Sequence, residues 1–89
     1  MSTSQEMPKA RAGVMDLVRG HLAGELEIDG EQIQESSRFR EDLEADSLDL
    51  YELVMELEDT YGIKITEEEA VGIRTVGNAV DFVVERLPA

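Results

Sequence analysis

Between Ser47 and Tyr61 apolar residues recur at helical intervals on two faces at once, and that doubling constrains the fold more than any other feature. Leu50, Leu53, Val54, Leu57 and Tyr61 follow the i, i+3, i+4, i+7, i+11 spacing of a stripe that faces a core. Leu48, Tyr51 and Met55 follow i, i+3, i+7 on a different face, interleaved with Glu52 and Asp59. One stripe is enough to pack a small surface helix, so the second is free for docking. Asp46 reads as the N-cap and Asp49 as an acid in the first turn, where the helix dipole favours it. Ser47 is then the first helical residue, entered from a polar loop, with its hydroxyl at the surface.

The same period governs the rest of the chain. Pro8 suits a first helical turn, and Ala10, Val14, Leu17, Val18 and Leu22 predict a first helix over about 8–23 that stops at Gly24. Thr66-Glu67-Glu68-Glu69 is a capping box, which predicts a short third helix over about 67–72. The acids at 67–69 then serve its dipole rather than a ligand. Thr75 opens a last helix over about 76–87, with Val76, Ala79, Val80, Val83 and Leu87 as its stripe and Pro88 as its end. The expected fold class is therefore all-α: a small four-helix bundle with a short third helix and a long loop between the first and second. A loop of some twenty residues needs its own anchors, and Leu26, Ile28, Ile33, Phe39 and Leu43 recur through it. Asp29-Gly30 marks a turn, with a short helical turn near 31–35. Residues 1–7 lack periodicity and read as a flexible tail before one domain over 8–89.

Composition excludes several functions. At 89 residues the chain makes one small domain with a modest core, and with no cysteine it has no disulfide, thiolate ligand or thiol nucleophile of its own. Twenty-one acids against eight bases give a formal charge of -13, which argues against nucleic acid or an anionic membrane surface and for partners with basic patches. No apolar run approaches the roughly 20 residues of a membrane span, and no signal pattern is evident, so a cytoplasmic monomer is expected. His21 is the sole histidine, beside the core-stripe Leu22, with no second histidine or cysteine to share a metal. No stretch matches an EF-hand loop. A serine hydroxyl without a neighbouring base is a weak nucleophile, so neither a catalytic set nor a metal site is expected.

The string Phe39-x-x-Asp42-Leu43, Asp46-Ser47-Leu48, Glu52-Leu53-Val54-Met55, Tyr61-Gly62-Ile63-x-Ile65 and Thr75-Val76-Gly77, in that order in an acidic chain, resembles the acyl carrier proteins over roughly residues 8 to 87. The resemblance implies 4'-phosphopantetheine, taken from coenzyme A and joined covalently to Ser47 between Asp46 and Leu48. It implies a carrier of acyl thioesters in fatty acid or related polyketide biosynthesis rather than an enzyme. The implied partners are a phosphopantetheinyl transferase, then acyltransferases, ketosynthases, reductases and dehydratases with basic docking patches. Asp46, Asp49, Glu52, Glu58 and Asp59 would make the polar contacts around an apolar centre of Leu48, Tyr51 and Met55; such acids give steered, salt-sensitive encounters. Because these carriers can enclose the acyl chain, Leu50, Val54, Leu57, Ile65, Ala70 and Ile73 are candidates for a lining, although they serve equally as plain core.

Two places depart from the family pattern, one of them Leu50-Tyr51, which is bulkier than the pair typical of fatty acid carriers. Glu44 stands where glycine is usual, and if the backbone there needs a positive angle, glutamate is strained. The residues also leave open a reading from another class: a small acidic interaction module that docks on basic proteins with Ser47 unmodified.

Overall fold

The computed structural model describes residues 6–87. The helices α1 (Glu6–Leu26), α2 (Ser47–Tyr61), α3 (Glu67–Val71) and α4 (Val76–Arg86) follow in order, with one 3₁₀ turn (Gly30–Gln32) in the loop between α1 and α2. Among the described residues there is no strand, only an isolated antiparallel bridge between Arg38 and Thr75. This is the all-α, four-helix arrangement with a short third helix that the apolar period predicts.

The first helix is longer at both ends than expected. It begins at Glu6, so two residues of the expected tail are helical, while residues 1–5 lie outside the described part. The side chains of residues 6–10, Ala10 of the expected stripe included, are likewise outside it. At the other end Gly24 does not stop the helix. The stripe continues from Val18 and Leu22 to the half-buried Leu26, and burial along that face outweighs the helix penalty of a glycine, about 1 kcal/mol. The stop is made by Glu27, which adopts φ 57°, and by a 3.1 Å hydrogen bond from the Ile28 N–H to the Ala23 carbonyl. That six-residue closure is a Schellman ending built without glycine.

The later helices start and stop where their caps predict. Asp46 accepts from the Asp49 N–H at 2.9 Å and Asp49 accepts from the Asp46 N–H at 3.0 Å, a reciprocal box made of two aspartates. Thr66 and Glu69 form the same box on α3, and Thr75 with Asn78 forms it on α4. Gly62 closes α2 at φ 65°, a conformation suited to glycine.

Around these helices the core is assembled unevenly. Val14, Val18 and Leu22 of α1, Leu53 and Leu57 of α2, and Val76, Val80 and Val83 of α4 are buried together with Ile33 and Phe39 from the loop. Two of the expected loop anchors, Ile33 and Phe39, are thus fully inside, while Leu26, Ile28 and Leu43 pack half-buried against them. Each fully buried side chain of this size contributes about 1.5–3 kcal/mol by leaving water. The loop is also fastened by its backbone: the Phe39 N–H donates to Arg74 O at 3.0 Å, the Val76 N–H to Ser37 O at 3.0 Å, and the Gly77 N–H to Glu35 O at 2.8 Å. A Cβ at Gly77 would sit 3.0 Å from that Glu35 oxygen, so any larger residue would press the loop backbone away by a few tenths of an ångström. Arg11 of α1 completes the fastening by pairing with both Glu35 of the loop and Asp81 of α4. These contacts carry the loop across the start of α4 and deliver it at the first residue of α2.

Candidate functional site

That first residue is Ser47, and its position is set on both sides. Behind it, Ala45 is buried and its N–H donates to Phe39 O at 2.7 Å, which ties the end of the loop to a core aromatic. Between them Glu44 turns through φ 56°, so the position does need the positive angle and glutamate is held in it. Ahead, the Asp46–Asp49 box fixes the first turn. Asp46's carboxyl is held below the usual carboxylate range, chiefly by the Asp49 N–H it accepts and less by the nearby Arg40 charge. Asp46 therefore stays ionised and capping at any physiological pH.

The Ser47 side chain is exposed. Its one side-chain partner among the described residues is Arg40, whose Nη2 donates to Ser47 Oγ at 3.0 Å. Neither a histidine nor a carboxylate is hydrogen-bonded to the hydroxyl among the described residues, so nothing there takes its proton. His21 does not belong to this place. It borders a separate shallow cleft with Glu52, Met55, Glu58 and Asp59, and its shielded Nε2 has no hydrogen-bond partner.

Beside Ser47 opens a cavity of about 960 Å³ between α2, α3, the start of α4 and the loop. All six candidate lining residues, Leu50, Val54, Leu57, Ile65, Ala70 and Ile73, face it. The choice between lining and plain core resolves by depth: Leu57, Ile65 and Ile73 are buried and floor the cavity, whereas Leu50, Val54 and Ala70 are half-buried on its walls. Arg38, Arg40 and Arg74 stand at the same cavity together with Glu41 and Glu67, and Arg38 is paired with Asp42. The size lies at the upper end of small-molecule sites, which run to about 1,000 Å³.

The second stripe of α2 lies free. Leu48, Tyr51 and Met55 are 62%, 59% and 51% exposed, too exposed for core packing. Glu52 and Asp59 flank them as the spacing predicts. Three of the expected docking acids are otherwise engaged: Asp46 and Asp49 are spent on the cap, and Glu58 is half-buried and accepts from the Ile65 N–H at 2.8 Å. Val71 of α3, 73% exposed at the cavity's edge, joins the apolar surface. It escaped the sequence reading because a five-residue helix is too short to show a second periodic face. Arg40 escaped because its partner is seven residues away across a turn.

Glu25, at the end of α1, meets Glu52 and Asp49 in a cluster whose oxygens lie within 4.8 Å of one another. Its carboxyl is pushed up to about 7, first by the hydrogen bond to Glu52, then by desolvation and by Asp49.

An exposed hydroxyl at a helix start, with no base of its own and an apolar cavity alongside, suits covalent attachment of a group brought by another protein. The comparisons with known proteins agree. The family described as the phosphopantetheine attachment site matches residues 16–83. An acyl carrier protein of Rubrobacter xylanophilus is 47% identical over 79 residues, covering 89% of this chain and 98% of that protein. The solved structure of the acyl carrier protein from Enterococcus faecalis superposes with a TM-score of 0.74 at 37% identity, over 84% of this chain and 95% of that one. This chain belongs to the acyl carrier proteins of the phosphopantetheine attachment family. It is a carrier that works through that prosthetic group with biosynthetic enzymes, and is not itself a catalyst.

Proposed function

We propose that Ser47 is the residue that bears the 4'-phosphopantetheine arm, and that acyl groups carried as thioesters on its thiol settle into the cavity between α2 and α3. The observation that supports this most is the exposed Ser47 hydroxyl opening directly on a cavity of about 960 Å³ floored by Leu57, Ile65 and Ile73. The chain has no cysteine, so the arm supplies the thiol. Tethering keeps each intermediate at a high effective concentration for successive enzymes, and the cavity shelters it between visits.

The docking face in this reading is Leu48, Tyr51 and Met55 with Val71, ringed by Glu52 and Asp59. Asp46, Asp49 and Glu58 serve the fold first, and contribute their charge rather than a dedicated hydrogen bond. The partners are a phosphopantetheinyl transferase and the acyltransferases, ketosynthases, reductases and dehydratases that build fatty acids or polyketides, each meeting the carrier monomer through a basic patch in the cytoplasm. Truncating Leu48 or Tyr51 to alanine weakens such a complex by on the order of 1 kcal/mol or more.

Incubation of the apo protein with coenzyme A, magnesium and a broad-specificity transferase tests the attachment. The expected result is a mass gain of one phosphopantetheine that is absent from Ser47→Ala. Gain by Ser47→Ala, or none by the folded wild type, contradicts it.

A further inference from the structure

Four arginines, Arg11, Arg19, Arg38 and Arg86, each pair with a carboxylate within ion-pair distance. Arg74 makes no such pair among the described residues and neither does Arg40, although the chain has 21 acids. The Arg40 guanidinium instead points at a neutral hydroxyl, Ser47 Oγ, 3.0 Å away. A guanidinium hydrogen-bonded to the serine oxygen, with the Asp46 carboxylate nearby, sits where an anion would be made if that serine were phosphorylated or joined to a phosphodiester.

The two neighbours on α2 make such an anion costly without help. Asp46 and Asp49 are both tied into the cap, and a diester on Ser47 adds a third negative charge within one helical turn. The helix dipole offsets part of this repulsion. The rest calls for a cation within contact distance, and a guanidinium suits it, because it can present two parallel N–H groups to the two non-bridging oxygens. Arg40 and Ser47 also line the same cavity, so a diester held by Arg40 would leave Ser47 on the cavity side.

We infer that Arg40 is a positioning residue for the prosthetic arm: its guanidinium holds the Ser47 phosphodiester and directs the arm toward the cavity between α2 and α3. This rests on Ser47 being the attachment site. Nothing in the inference requires Arg40 to act during attachment itself. Its side chain is exposed, and replacing it leaves the core untouched.

The test compares wild type, Arg40→Gln and Arg40→Lys, each driven to full modification with excess transferase and checked by intact mass and by helical circular dichroism. Two readouts follow: the change in melting temperature from apo to holo, and the phosphorus NMR shift of the diester in the folded relative to the urea-unfolded protein. The expected result is an apo-to-holo change that is markedly less favourable in Arg40→Gln than in wild type and partly restored in Arg40→Lys. The folded-minus-unfolded phosphorus shift should shrink in the same order, and the wild-type advantage should fade with added salt. Equal apo-to-holo changes and an unaltered phosphorus shift in all three fully modified proteins would overturn the role of Arg40 while leaving the attachment intact. Absence of any mass gain on wild type would overturn the attachment and the role of Arg40 together.

Discussion

Helices α4 and α2 are both amphipathic, yet they are packed to different degrees. The shorter α4 buries Val76, Gly77, Ala79, Val80 and Val83, while the longer α2 buries only Leu53 and Leu57. One half of the molecule, formed by α1, α4 and the loop, is closed by fully buried side chains and by the loop's hydrogen bonds to the start of α4. The other half, formed by α2 and α3, keeps half-buried walls around a cavity and leaves Leu48, Tyr51, Met55 and Val71 in water. No residue of α3 is fully buried; it is held by the half-buried Ala70 against the core and by the ion pair of Glu69 with Arg86 of α4. The contrast suggests a division of labour, in which the closed half supplies stability and the open half supplies room.

The largest effect should come from comparing one truncation in each half. Phe39 is 1% exposed and at the centre of the loop's anchorage, so Phe39→Ala should cost about 3–5 kcal/mol in urea unfolding, close to the whole stability of a small domain. Phe39→Leu offers a milder version if the alanine variant does not fold. Leu50→Ala, on the cavity wall, should cost about 1 kcal/mol, because a side chain already facing open space leaves little new void. Equal costs at the two sites would erase the distinction between the halves.

A smaller effect tests the junction where the halves meet. Glu44 holds φ 56°, a conformation that disfavours any side chain with a Cβ by roughly 1–2 kcal/mol, part of which glycine gives back as chain entropy. Glu44→Gly should therefore raise the stability by about 1 kcal/mol or less, read as a higher urea midpoint at unchanged slope. A lower midpoint would mean that the glutamate has a favourable contact worth more than its strain.

The smallest effect concerns pH. Glu25 has its carboxyl raised to about 7 from an ordinary value near 4.5, mainly by sharing a proton with Glu52. A carboxyl whose value is higher in the folded state binds its proton more tightly there, so the fold is favoured while the proton is held. That contribution is full below about 4.5 and is lost as pH rises through about 7. Glu25→Gln should then melt at nearly the wild-type temperature at pH 5, and somewhat higher at pH 8. A wild type and variant that stay parallel across that range would remove Glu25 as the source.

Much of this arrangement was legible in the sequence, for identifiable reasons. Caps are local, so Asp46, Thr66 and Thr75 mark the starts of α2, α3 and α4 within a residue. The exposed stripe of Leu48, Tyr51 and Met55 was readable because α2 is long enough to show two periods. Glu44 was readable as a side chain where glycine is usual, but only the backbone shows that the position takes a positive angle. The end of α1 was not readable, since Glu27 supplies the left-handed turn that a glycine would have announced. The engagements of Glu58 with Ile65 and of Arg40 with Ser47 were not either, because both cross a turn by seven residues. The cavity was only half legible: periodicity names the apolar face of α2, but it cannot tell a wall from a floor.

The most direct test of the account is to load the modified protein with a medium-length acyl chain and follow methyl NMR shifts and amide exchange residue by residue. The account predicts that Leu50, Val54, Leu57, Ile65 and Ile73 shift and that amides of α2 and α3 gain protection, while Val18, Val80 and Val83 stay as they were. Changes confined to the closed half, or none anywhere with the acyl chain in place, would contradict it.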